Sequence, residues 1–129
     1  MLAPVWAVEF AVIGHPQGPL VALNDKQVKR IFLGRQRSFD DGSSIDLAWQ
    51  TGETGDVVLK SLTGKSASMV SAVWSGLLFS GEAKMPADLK SDAEVINWIK
   101  TDVYGVGYIH KKSVTPQTRV LFVIDVDLE

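Results

Sequence analysis

The chain has 129 residues, of which 46% are hydrophobic and 22% charged, and its formal net charge at pH 7 is −2. This length suits a single domain over residues 1–129 that buries about two-thirds of its unfolded surface. The near balance of 13 basic and 15 acidic residues creates no field that would hold a polyanion, so no nucleic-acid binding is expected. The absence of cysteine excludes disulfides, thiolate catalysis and cysteine-zinc sites.

We assign no functional role to the two ends of the chain. No apolar run approaches the roughly 18 residues that a bilayer span needs, so no membrane span is expected. Residues 1–4 lack the basic region and the long apolar core of a signal peptide, and an export signal could have been removed. Residues 127–129 are interpreted as a cloning remnant.

The first predicted elements alternate between strand and helix. Residues 5–13 are rich in Val, Ile, Trp and Phe and end at a turn, which predicts a buried strand. Asn24 followed by Gln27 forms a capping-box pattern, which predicts a helix that ends at Gly34. After a polar loop, residues 45–49 alternate between apolar and polar, which predicts the second strand.

Two further helices follow a glycine-bearing loop. Thr54 is the predicted N-cap of a helix that continues to Gly64. Ser66 can cap the next helix, which is expected to be deeply buried because its apolar residues recur at helical spacing: Met69, Val70, Val73, Trp74, Leu77 and Leu78.

The last third of the chain returns to strands. A loop around Pro86 precedes Ser91 and Glu94, a capping box that predicts a fourth helix. Residues 105–109 and 119–124 are predicted strands on either side of a loop. This order favours an α/β fold in which helices cover both faces of a mixed sheet, giving three layers.

Several short motifs resemble nucleotide-binding, metal-binding or catalytic sites, but each lacks residues that such a site requires. Gly64 to Ser66 resembles the end of a P-loop, but the required upstream glycine is replaced by Leu59. His15 and His110 lie far apart and lack the carboxylates that a zinc site or a triad needs. We therefore expect no catalytic residue, no metal ligand and no cofactor, and the chain is interpreted as not an enzyme.

The loop at residues 51–56 is the one place where binding is chemically plausible. Backbone N–H groups at a helix start point toward whatever precedes the helix, and an anion could dock there. The alternative is a plain helix cap at Thr54, in which Glu53 and Asp56 supply the negative charge that the helix dipole favours.

Several short motifs follow one another in a characteristic order between about Ala7 and Ile109. They are Ile31-Phe32-Leu33-Gly34-Arg35, Asp41-Gly42, Ile45, Trp74, Phe79-Ser80-Gly81, Pro86, Ser91-Asp92-Ala93-Glu94-Val95 and Gly105-Val106-Gly107-Tyr108-Ile109. This ordered series resembles the phosphate ABC transporter substrate-binding family, whose members are type II periplasmic binding proteins.

The resemblance implies one α/β lobe of a protein whose relatives close two lobes on phosphate. It places the ligand site at Gln50, Thr51, Thr54, Gly55 and Asp56. Family members have an arginine four residues before a Ser-Gly-Thr sequence at a helix start, whereas this chain has Gln50 and then Thr54-Gly55-Asp56. A neutral amide and a carboxylate thus replace a bidentate cation and a hydroxyl, which predicts weak or lost anion binding.

The resemblance also implies a non-enzymatic, exported or periplasmic protein whose partner is phosphate or another small anion. A single lobe exposes the face that a second lobe would cover. The alternative function is therefore that of a self-associating homodimer or a module that docks to another protein.

Overall fold

The computed structural model describes residues 7–127, which form one mixed sheet and the helices that pack on it. The strands are β1 (Ala7–Gly14), β2 (Asp46–Gln50), β3 (Ala87–Leu89), β4 (Gly105–His110) and β5 (Arg119–Asp127). The helices are α1 (Asp25–Phe32), α2 (Glu53–Thr63), α3 (Ala67–Phe79) and α4 (Asp92–Lys100), and a short 3-10 turn, Lys111–Ser113, follows β4.

The strand order in the sheet is β3-β2-β4-β1-β5. β2 runs parallel to β3 and β4, whereas β1 runs antiparallel to β4 and β5. The carboxyl ends of β2, β3 and β4 consequently lie at one edge of the sheet. Phe10 pairs with His110, which brings the first half of β1 to the same edge.

Alternate side chains of the central strands pack on opposite faces of the sheet, as the pleat requires. One face packs against α1, α2 and α3 through residues that include Phe10, Val12, Val28, Val58, Trp74 and Tyr108. The other face packs against α4 through Ala11, Ile13, Val95, Ile99 and Ile109. The predicted three-layer α/β fold with a mixed sheet is confirmed.

Local capping bonds account for most of the helix boundaries. The Asn24 side chain accepts from the Gln27 N–H at 2.8 Å, and the Gln27 side chain accepts from the Asn24 N–H at 2.9 Å, so the predicted capping box is confirmed. Ser66 and Ser91 cap α3 and α4 as predicted. α2 ends at Gly64, whose φ of 75° lies in the left-handed region that favours glycine.

Several predicted strand limits differ from the structure. β5 continues to Asp127, which pairs with Ala7, so the last strand extends beyond its predicted limit at residue 124. β3 lies where only a loop was predicted, because three residues beside β2 are too few to show a strand pattern. Val5 and Trp6, assigned to the first strand, and Leu128 and Glu129, assigned to the tail, lie outside the described residues.

The prediction that α3 is deeply buried is wrong. Val70 and Trp74 are its buried residues, and the Trp74 indole donates to the Phe32 carbonyl oxygen at 2.9 Å. On the opposite side, Met69 is 54% exposed and Phe79 is 91% exposed. α3 packs beside α2, and among the described residues no element covers its exposed side.

Candidate functional site

A cavity of about 250 Å³ opens at the edge of the sheet where β2 and β4 end. Ligands of open α/β sheets bind in crevices beyond the carboxyl ends of strands, so this is the expected position for a site. We call it the α2 cavity, and its lining residues are Phe10, Gln50, Thr51, Glu53, Thr54, Gly55, Lys90, Tyr108 and His110.

The N-terminus of α2 forms one wall of the α2 cavity. The helix begins at Glu53 with Gly52 as its N-cap, so the prediction that Thr54 caps it is wrong. Gly52 has a φ of 106°, a backbone conformation that disfavours residues with a side chain, and it makes no side-chain cap bond. Asp56 donates the first helical hydrogen bond to the Gly52 oxygen at 2.9 Å. The preceding N–H groups, including those of Thr54 and Gly55, therefore remain outside the helical ladder.

Gln50 ends β2 and is held by hydrogen bonds within the protein. Its side-chain Nε2 donates to Asp92 Oδ1 at 2.7 Å and to the Tyr108 carbonyl oxygen at 3.1 Å. An amide nitrogen has two N–H groups, and both are used in these bonds. Gln50 lines the α2 cavity, but its side chain has no remaining donor for an anion.

Asp92, in the first turn of α4, collects several donors behind the α2 cavity. Besides Gln50, its carboxylate accepts from His110 Nδ1 at 2.9 Å and from Ser113 Oγ at 2.7 Å. Burial acts to raise the pKa of Asp92, but the hydrogen bonds from Gln50, Ser113 and His110 outweigh burial and hold the pKa below its usual value. Asp92 is therefore an ionised acceptor near neutral pH.

Two basic side chains of the α2 cavity were not predicted as ligand residues from the sequence. Lys90 follows β3 and His110 ends β4, so both lie at carboxyl ends of parallel strands. The His110 ring packs on the Phe10 ring with centroids 4.4 Å apart. A search of the predicted strand ends for polar residues would have identified His110, whereas β3 was not predicted and Lys90 had no comparable signal.

The structure divides the five predicted ligand residues between two cavities. Gln50, Thr51, Thr54 and Gly55 line the α2 cavity. Asp56 lines a neighbouring cavity of about 450 Å³ between α2 and α3, which Thr51 also borders. The carboxylate of Asp56 thus lies beside the α2 cavity and not in its wall, while Glu53 takes the acidic position in that wall.

The α2 cavity offers backbone N–H donors, two basic side chains and one acidic side chain. This set can hold a small anion by hydrogen bonds and charge. Within residues 7–127, no group of three or more His, Asp or Glu side chains is placed to hold a metal ion. In the same residues, none of the helices has the length and apolarity that crossing a bilayer requires.

Comparison with known proteins identifies similar folds among solved structures. No protein-family model matches the sequence, and no curated protein matches it. One similar crystal structure, from Clostridium perfringens, is described as a phosphate ABC transporter substrate-binding protein with bound phosphate, with 15% identity and a TM-score of 0.70. The alignment covers 92% of this chain and 46% of that one.

Two further structures resemble the chain over nearly its whole length. An ABC-type phosphate transport receptor from Vibrio cholerae has 13% identity and a TM-score of 0.59, with 92% of this chain and 50% of that one covered. PstS from Borrelia burgdorferi has 17% identity and a TM-score of 0.57, with 89% of this chain and 47% of that one covered. This chain spans about half the length of each, and it has the fold of one lobe of a phosphate ABC transporter substrate-binding protein.

Proposed function

We propose that this chain is a non-enzymatic solute-binding protein of the periplasmic type, which binds phosphate or another small oxyanion weakly in the α2 cavity. The observation that carries the proposal is the N-terminus of α2, which faces this cavity together with Lys90 and His110. Similar folds in phosphate-binding proteins support the choice of ligand class. An exported location belongs to the same proposal, and fractionation of cells that carry the full-length gene tests it.

Weak binding follows from the charges around the α2 cavity. Glu53 stands in its wall, and both Gln50 Nε2–H groups bind protein acceptors. A helix N-terminus contributes up to about 2 kcal/mol to an anion, whereas micromolar affinity needs about 8 kcal/mol. We therefore expect a phosphate dissociation constant of about 0.1–10 mM, which corresponds to roughly 2.7–5.5 kcal/mol of binding free energy.

Calorimetric titration with phosphate at low salt tests the proposal. Glu53→Gln should tighten binding because it removes a like charge from the cavity wall. Glu82→Gln, an exposed position away from this cavity, is the matched control and should leave binding unchanged. No heat of binding up to tens of millimolar phosphate would contradict an anion site. A dissociation constant below about 10 µM would contradict the weakness that the charges predict.

The second candidate function is self-association through α3, and the exposed apolar side of that helix favours it. The 13 residues of α3 include no charged side chain. If two copies of α3 pack antiparallel about a two-fold axis, Met69 of one lies beside Phe79 of the other. Ala72 and Gly76 then meet near the axis, where small side chains permit close packing. Such a self-complementary surface suits a symmetric dimer.

Sedimentation velocity over a range of concentrations tests this second candidate. Val73 is 40% exposed and lies midway along α3, so Val73→Lys should shift the protein toward monomer. Asn97→Lys introduces the same charge at an exposed position of α4 and should leave the association state unchanged. A wild-type chain that stays monomeric at millimolar concentration would eliminate the dimer.

A further inference from the structure

We propose that His110 makes the α2 cavity a pH-switched oxyanion site, which gains affinity when the imidazole takes up a proton at Nε2. The inference rests on the proposed function, since it concerns the same cavity. Three observations carry it: the fixed orientation of the ring, the identity of the nitrogen that can change its protonation, and the charges that surround it.

The orientation of the His110 ring is fixed from two sides. Asp92 Oδ2 lies 2.9 Å from Nδ1, and the same oxygen accepts from the His110 backbone N–H at 3.2 Å. Phe10 packs against the ring from β1. The ring therefore cannot turn to offer Nδ1 to a ligand without breaking the bond to Asp92, and Nε2 is the nitrogen left for the cavity.

Asp92 also determines which tautomer the neutral ring adopts. An ionised carboxylate only accepts hydrogen bonds, so Nδ1 carries a hydrogen whether the ring is neutral or charged. The neutral ring then has a lone pair at Nε2, which repels an oxyanion. The protonated ring has an N–H donor and a positive charge at that atom. A single proton thus gives His110 a positive charge and changes its Nε2 from a hydrogen-bond acceptor to a donor toward the cavity.

Because of the neighbouring charges, the protonation of His110 determines whether the α2 cavity attracts an anion. Lys90 and Glu53 line the cavity from the loop after β3 and from α2, and Asp92 lies behind it. With a neutral His110, the two carboxylates outnumber the ammonium group, whereas a charged His110 restores the balance. Lys111 and Lys112 follow in the adjacent turn, where Lys111 lies 4.0 Å from Glu9, and Tyr108 contributes a buried phenol.

The physical consequence is capture of a small oxyanion in mildly acidic solution and its release near neutral pH. Imidazole side chains change charge between about pH 5 and pH 8. Linkage of binding to one proton allows up to about a tenfold change in affinity per pH unit. We expect the affinity for sulfate to rise about tenfold between pH 7.5 and pH 5.5. Sulfate is the suitable probe because its own charge is constant over this range.

The experiment combines calorimetric sulfate titrations at both pH values with an NMR titration of the two histidines. His110→Gln should remove the pH dependence, and His15→Gln, which changes a histidine outside the cavity, should preserve it. Asp92→Asn removes the carboxylate that keeps the hydrogen on Nδ1, so the neutral ring can carry its hydrogen at Nε2 and donate it to the anion. The affinity for sulfate at pH 7.5 should therefore increase. In the wild-type chain, sulfate should shift the His110 titration midpoint to higher pH and leave His15 unchanged, a readout that requires no variant.

The outcomes separate the two proposals. Equal sulfate affinity at both pH values, with an unmoved His110 midpoint, would overturn the switch and leave the anion site standing. Failure of both phosphate and sulfate to bind at either pH would overturn the proposed function itself. Retention of the pH dependence in a folded His110→Gln variant would also overturn the assignment to His110.

Discussion

Gly55 in the first turn of α2 lies directly against the carbonyl group of Gln50 at the end of β2. A Cβ atom placed on Gly55 would be 2.1 Å from that oxygen and 2.7 Å from its carbon. Such contacts are too short for any side chain, and the obstacle is backbone that cannot rotate away. The absence of a side chain at Gly55 is therefore what lets α2 begin beside β2 and face the cavity.

Replacement of Gly55 by alanine should force α2 away from β2. Overpacking of this kind costs about 1–3 kcal/mol, even though alanine has the higher helix propensity. Urea denaturation measures the change in the free energy of unfolding. Gly76→Ala is the matched control, because Gly76 lies in α3 where a built Cβ meets no atom within 4 Å beyond the local backbone of the helix itself. It should stabilise by about 0.5–1 kcal/mol, and equal effects at the two sites would contradict the contact.

The Tyr108 hydroxyl group connects β4 to the end of β2. It accepts from the Gln50 backbone N–H at 3.0 Å and donates to the Gln50 carbonyl oxygen at 2.8 Å. Tyr108→Phe leaves that N–H without its acceptor, at a cost of about 1–3 kcal/mol in unfolding free energy. Tyr104→Phe, at a more exposed tyrosine, should change stability by less than about 0.5 kcal/mol in the same denaturation assay.

The same hydroxyl group should not ionise in the folded protein under mildly alkaline conditions. Burial raises the pKa of Tyr108 well above its usual value, and the nearby charges of Asp56 and Asp88 act in the same direction. The raised pKa keeps Tyr108 a hydrogen-bond donor to Gln50. Ultraviolet titration of the Tyr104→Phe variant isolates Tyr108, and a phenolate signal near the ordinary tyrosine pKa of about 10 in folded protein would contradict its burial.

Asp92 should make the protein more sensitive to acid. Its pKa is lower in the folded than in the unfolded chain, so ionised Asp92 contributes stability above the unfolded value near 3.8. That contribution is lost as pH falls through the folded pKa. The difference in melting temperature between wild type and Asp92→Asn should therefore be largest near neutral pH and should shrink in acid. A constant difference from pH 7 to pH 2.5 would show that the charge is not responsible.

Asp102 should have the opposite effect on stability. Burial raises its pKa, and so do the hydrogen bond and the charge that it shares with Asp46, which Lys84 approaches at 3.3 Å. Ionised Asp102 therefore costs stability above its folded pKa, and this cost disappears as pH falls through that value. Asp102→Asn should melt at a higher temperature than wild type at pH 7, because an amide oxygen can still accept from the Tyr104 N–H.

The control for this prediction is Asp125→Asn, at an exposed position on β5. It removes the same formal charge without relieving the contact with Asp46. An increase in melting temperature of similar size in both variants would indicate a general charge effect. An unchanged or lower melting temperature for Asp102→Asn alone would contradict the unfavourable carboxylate pair.

Helix boundaries that depend on bonds between neighbouring residues could be predicted from the sequence. The Asn24–Gln27 box and the Ser66 and Ser91 caps are bonds across three residues, so their sequence pattern is sufficient. The start of α2 was misplaced at Thr54 because Gly52 makes no side-chain cap bond. Its position follows from the approach of Gly55 to β2, which a local pattern does not contain.

The amino-acid order alone determined the α/β class and the loop at the start of α2, because hydrophobic periodicity and caps act over a few residues. Which side of α3 is buried was settled by packing, since this helix is apolar on more than one side. The group formed by Gln50, Asp92 and His110 also required the folded chain. Hydrogen bonds link Gln50 to a residue 42 positions away and His110 to one 18 positions away. Only the alignment of β2, β4 and α4 brings such distant residues within bonding distance.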